Sequence, residues 1–113
     1  MPRLIGIHHL TLKDGVTPED FESFARNDYK GLKMPGWRFS IAKGDRGKSV
    51  GTFVEICESD VASRDRDYPA PTGQMSEEAK AALNTPEGKR FVERWLALVV
   101  QPTDYTDYVV ISE

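Results

Sequence analysis

The sequence predicts an α+β fold, one four-stranded antiparallel sheet with helices packed against it, in the order strand, helix, strand, strand, helix, strand. Three observations predict it. Two threonine–proline pairs, Thr17-Pro18 and Thr85-Pro86, start helices. Four stretches rich in β-branched and aromatic residues lie around those helices in strand-like runs. The length of 113 residues suits a single domain with one core. The simplest arrangement is a split βαβ unit with two right-handed crossovers and the strand order 4-1-3-2.

The first strand is read at 4–13, LIGIHHLTLK, and Asp14-Gly15 ends it with turn chemistry. Thr17 is a good N-cap, Pro18 suits the first helical position, and Asp20 lies where a carboxylate favours the helix start. Val16 and Phe21 have the spacing of a hydrophobic staple. Phe21, Phe24, Ala25 and Leu32 recur at helical spacing, and Gly31 is a natural stop, so a helix is predicted over 18–31. Gly36 precedes a second strand at 37–43, the run 44–47 is a turn, and a third strand follows at 49–58.

Residues 59–75 are polar and contain Pro69, Pro71 and Gly73, which predicts a loop. It is long for a compact domain, as lids and binding loops often are. Ser76 caps a short helix, SEEAKAALN. After Thr85-Pro86, Phe91, Trp95, Leu98 and Val99 form one helical stripe. A proline gives no amide donor, so 76–99 should break near Asn84 and not run as one helix. Gln101-Pro102 ends the second helical region, and the last strand is read at 103–112.

Composition narrows the function classes. The net charge of −3 and pI of about 5.4, with no basic stripe, predict no nucleic-acid partner. No apolar run approaches the ~20 residues of a membrane helix, and Met1-Pro2-Arg3 does not open a signal peptide. A lone cysteine, Cys57, excludes an internal disulfide and fits a reducing, cytoplasmic setting.

Both faces of the predicted sheet are apolar. Strand three offers Phe53 and Cys57 on one face, Val54 and Ile56 on the other. Strand one sets Ile5 and Ile7 against Leu4 and Leu10. Two helices cover one face, so the other needs a partner, and a second copy packed sheet to sheet is the natural solution. A homodimer burying more than about 1,200 Å² in total is therefore expected.

Two segments carry a family resemblance: IHHLTLKDGVTPEDFESF at 7–24 and LNTPEGKRFVERWLALV at 83–99. With the element order, they resemble the dimeric α/β-barrel superfamily, and within it the stress-responsive barrel (Dabb) proteins. The resemblance implies a ferredoxin-like fold whose sheets pair into a barrel, with the ligand held between sheet and helices. Relatives in that superfamily include cofactor-independent oxygenases, haem-degrading oxygenases and polyketide cyclases. In Dabb-type proteins a histidine–proline–x–histidine stretch often opens the second helix, and a histidine there acts in the cyclases. This chain has Thr85-Pro86-Glu87-Gly88 instead, and no histidine follows His9. A cyclase mechanism or haem ligation through that helix is not expected, and no cofactor is.

The candidate catalytic residues are His8, His9 and Glu55. Adjacent strand residues point to opposite faces, so one histidine faces the helices and the other the dimer partner. An imidazole can act as a general base, although a buried, hydrogen-bonded histidine is the more common outcome. Glu55 sits mid-strand, where a carboxylate is costly unless paired, and its expected partner is one of the histidines or Arg38. Trp37, Arg38, Phe39, Trp95, Tyr105 and Tyr108 are the candidate ligand contacts, weighed against a plain role in the core. Arg64 and Arg66 alternate with carboxylates, in a loop that either closes over an anionic ligand or is simply solvated. Cys57 reads as core, and no metal site is expected, because two adjacent strand histidines diverge.

Two functions follow. One is an enzyme acting by proton transfer on a small aromatic or polyketide-like molecule, with an oxygenase, isomerase or cyclase outcome. The other is a non-catalytic, ligand-binding or stress-responsive dimer. A cavity holding His8 or His9 within hydrogen-bonding distance of Glu55 would separate them.

Overall fold

The computed structural model describes residues 2–70 and 73–113. Four strands, β1 (Arg3–Leu10), β2 (Arg38–Lys43), β3 (Phe53–Asp60) and β4 (Asp104–Val109), form one sheet in the order β2-β3-β1-β4. Every neighbouring pair is antiparallel. This is the predicted ferredoxin-like topology, with β1 and β3 in the centre.

Helix α1 (Pro18–Asn27) starts where the sequence places it. Thr17 Oγ1 accepts from the Asp20 amide, and Asp20 Oδ2 accepts from the Thr17 amide, both at 3.1 Å. Its end differs from expectation. The α-helix stops at Asn27 and a 3-10 turn, Tyr29–Gly31, completes the segment. Gly31 lies so close to the Glu87 carbonyl that a Cβ there would collide with it. The glycine thus serves close packing as well as termination. Helices α3 (Glu77–Ala82) and α4 (Pro86–Leu98) are separate, as Pro86 requires. Ser76 caps α3, and Thr85 Oγ1 caps α4 by accepting from the Gly88 amide at 3.0 Å.

The predicted 59–75 loop is corrected by the structure. Residues Val61–Asp67 form helix α2. Asp60 closes β3 and caps α2 at once, its Oδ1 accepting from the Ser63 amide at 2.7 Å. That capping holds the Asp60 carboxyl below the ordinary carboxylate range. The expected strand end at 58 hid this cap. Pro71, within the expected loop, lies outside the described residues.

The register assigns the two sheet faces. Leu4, Gly6 and His8 share a face with Phe53, Glu55 and Cys57, and with Phe39, Ile41, Tyr105 and Asp107. On this face Phe21, Phe24, Phe53, Phe91, Leu98 and Val99 form the buried core. Phe21 and Phe53 lie 4.8 Å apart, centroid to centroid, and fasten α1 to the sheet. The other face carries Ile5, Ile7, Val54 and Ile56. Arg90 of α4 reaches Asp28 at 2.6 Å, tying α4 to the end of α1.

Candidate functional site

A cavity of about 550 Å³ opens between the sheet and the helices. Its walls are aromatic: Trp37, Phe39, Tyr68, Phe91, Trp95 and Tyr105. Trp37, just before β2, and Phe39, within it, stack at 5.7 Å. Tyr68, just after α2, meets Trp37 edge-on at 5.7 Å. The indole N–H of Trp37 donates to Asp67 Oδ2 at 2.7 Å, which orients that wall. Burial pushes the Tyr68 phenol above its ordinary value, so it stays neutral.

The floor is polar and comes from the two central strands. His8, Glu55 and Cys57 all line the cavity. His8 and Glu55 are direct cross-strand partners in the β1–β3 register. They do not hydrogen-bond each other. His8 Nδ1 pairs with Thr103 Oγ1 at 2.6 Å, and the ring stacks on Tyr105 at 5.1 Å. Glu55 Oε2 accepts from the Tyr29 hydroxyl at 2.7 Å. The expected His–Glu or Arg38–Glu55 pair is therefore replaced by two hydroxyl contacts.

Burial sets the protonation states of this floor. Desolvation pushes the His8 imidazole below its ordinary value, against a small opposing pull from Asp107, which leaves the ring neutral at pH 7. Glu55 is 5% exposed, and burial lifts its carboxyl above the ordinary range despite hydrogen bonds from Tyr29 and Cys57. Burial, and then the Glu55 charge, push the Cys57 thiol up as well. The floor thus offers a neutral imidazole, a buried carboxyl that holds its proton more tightly than an ordinary one, and an un-ionised thiol.

Four of the six candidate ligand contacts line the cavity: Trp37, Phe39, Trp95 and Tyr105. Arg38 and Tyr108 do not. Arg38 lies opposite Glu58 and Tyr108 opposite Ile5, both on the face away from the helices. His9 is exposed on that same far face. Arg64 lines the cavity but is engaged by Asp65 at 2.9 Å and Asp107 at 3.1 Å. Arg66 is held by Asp67 and by the Pro35 carbonyl. Neither arginine is left free for an anion, and both belong to α2 instead of a solvated loop.

Sequence reasoning missed Tyr29, Thr103 and Tyr68. Tyr29 falls inside the helix predicted over 18–31, and Tyr68 inside the loop predicted over 59–75. The Asp60–Ser63 spacing of an N-cap was the available signal for α2.

No protein-family model and no curated protein matches the sequence. Solved structures do match the fold. A Dabb family protein with a ferredoxin-like fold from Mesorhizobium loti aligns with a TM-score of 0.58 at 17% identity, over 99% of this chain and 100% of that one. A dimeric ferredoxin-like protein of unknown function from Thermobifida fusca aligns with a TM-score of 0.57 at 12% identity, over 96% and 92% of the two chains. SnoaB, a cofactor-independent oxygenase from Streptomyces nogalater, aligns with a TM-score of 0.53 at 18% identity, over 98% and 95%. At these identities the likeness is one of fold, and it agrees with the resemblance carried by 7–24 and 83–99. Among the described residues no helix is long and apolar enough to cross a membrane.

Proposed function

We propose that the protein is a homodimer that binds a small aromatic or polyketide-like molecule in the cavity and removes a proton from it at His8. The observation that carries this reading is a single imidazole, His8, set into an aromatic-walled cavity with one ring nitrogen held by Thr103. Holding Nδ1 leaves Nε2 to act as the base. Oxygenation without a cofactor, isomerisation and cyclisation of such molecules all begin with loss of a proton from an activated C–H or phenolic O–H. The charge left on the ligand spreads onto its oxygen, to which the hydroxyl of Tyr105, a residue lining the cavity, would donate a hydrogen bond. Ile5, Ile7, Val54 and Ile56 on the far sheet face support the homodimer, as does the dimeric ferredoxin-like structure from T. fusca.

The second reading is a non-catalytic ligand-binding dimer. Two observations favour it: the helix start Thr85-Pro86-Glu87-Gly88 lacks a histidine, and His8 makes no hydrogen bond to Glu55. Quenching of Trp37 and Trp95 fluorescence by 1-naphthol, a neutral bicyclic phenol, tests the cavity. Saturable quenching is the expected result, and its absence overturns both readings. Deuterium exchange into an acidic C–H of a bound analogue separates them: exchange that needs His8 marks the enzyme, and binding without exchange marks the carrier.

A further inference from the structure

Two diverging histidines on one strand argue against a metal site. The fold supplies the missing donors from the neighbouring strand. One ring nitrogen of His8, a carboxylate oxygen of Glu55 and the Cys57 sulfur all lie within 4.8 Å of one another. We propose that these three residues form a binding site for one thiophilic divalent transition-metal ion, of the zinc or cobalt(II) class, at the floor of the cavity.

The placement comes from register. His8 lies opposite Glu55, and Cys57 is two residues further along β3 on the same face. Two central strands therefore hold all three donors, and rigid elements make precise sites. Tetrahedral bonds of about 2.0–2.3 Å bring donor atoms to roughly 3.5 Å from one another. From the 4.8 Å of the metal-free arrangement the donors would close by up to about 1.3 Å as the ion binds.

The outer partners are those a metal site needs. A ligating histidine normally has its second nitrogen held, and a ligating carboxylate its second oxygen. Thr103 holds His8 Nδ1 and Tyr29 holds Glu55 Oε2, so the ion would take His8 Nε2 and Glu55 Oε1. Charge points the same way. Among the described residues no lysine or arginine pairs with buried Glu55. A doubly charged ion offsets one carboxylate and one thiolate, which are otherwise costly to bury. Binding releases the Cys57 proton and any proton on Glu55 to solvent. One sulfur, one nitrogen and one oxygen suit zinc or cobalt, whereas magnesium and calcium favour all-oxygen shells. Three protein donors leave a fourth position open toward the cavity.

This inference goes beyond the proton-transfer reading and competes with it at one atom. A metal on the free His8 nitrogen takes the lone pair that a base would use, so an ion at this site switches that base off.

Titration of the chelator-treated chain with cobalt(II) is the test. One ion should bind per chain, with a thiolate-to-cobalt charge-transfer absorption. Cys57→Ser should abolish that band, and His8→Gln, at the least buried of the three positions, should weaken binding at least tenfold. Melting temperatures show which variants remain folded. Failure to saturate by ten equivalents overturns the site, as does a folded His8→Gln that binds as tightly as the wild type. Quenching by 1-naphthol in the metal-free chain is read separately. A chain that quenches but binds no cobalt loses only the metal site. One that binds cobalt without quenching keeps the metal site and loses the aromatic ligand.

Discussion

The Tyr29 hydroxyl donates a 2.7 Å hydrogen bond to the Glu55 carboxylate, and both residues are buried. The 3-10 turn after α1 is thereby fastened to the middle of β3, beneath the cavity. Removing one partner leaves a buried polar group short of a bond. Tyr29→Phe should therefore cost about 1–3 kcal/mol of stability. Urea unfolding of Tyr29→Phe, Glu55→Leu and the double variant checks it, and additive losses would show that the bond contributes nothing.

The two histidines should separate cleanly. His8 lines the cavity and His9 lies exposed on the opposite sheet face. His8→Gln should retain 1-naphthol quenching and lose proton exchange into a bound analogue. His9→Gln should leave both unchanged. An exchange defect in His9→Gln alone would contradict this assignment of faces.

Assembly depends on that opposite face. Ile7 and Ile56 are direct cross-strand partners there, at the centre of the sheet. Ile56→Lys places a charge in the middle of the proposed interface, where burial of an unpaired ammonium is prohibitive. Light scattering should find the wild type dimeric and Ile56→Lys monomeric at micromolar concentration. A monomeric wild type would remove the dimer.

Acid should loosen the cavity wall. Hydrogen bonds from Arg66 hold the Asp67 carboxyl below the ordinary range against the effect of burial, and Trp37 adds to them. A carboxyl that ionises more easily folded than unfolded stabilises the fold above its unfolded pKa of about 4. That contribution is lost as pH falls through the lower, folded value. Urea midpoints measured from about pH 6 to about pH 3 should fall more steeply for the wild type than for Asp67→Asn. Parallel curves would show that Asp67 carries no such linkage.

The sequence by itself determined the succession of the four strands, the two capped helix starts and the strand order in the sheet. Those features are local: Thr17-Pro18 and Thr85-Pro86 act within one helical turn, and element order with crossover handedness leaves few sheet topologies. Period-two alternation also placed Trp37 and Phe39 on one face and His8 and His9 on opposite ones. Tertiary structure alone decided which residues meet. Arg38 fell on the far face because the β2–β3 register aligns it with Glu58, and a one-residue slip in a hairpin flips every side chain. The connecting turn, read at 44–47, runs on to Thr52, and its length sets that register. Tyr29, Thr103 and Cys57 joined the floor through contacts across 26 to 95 residues of chain or across the sheet. No local pattern encodes such contacts, because they exist only once β1 lies between β3 and β4.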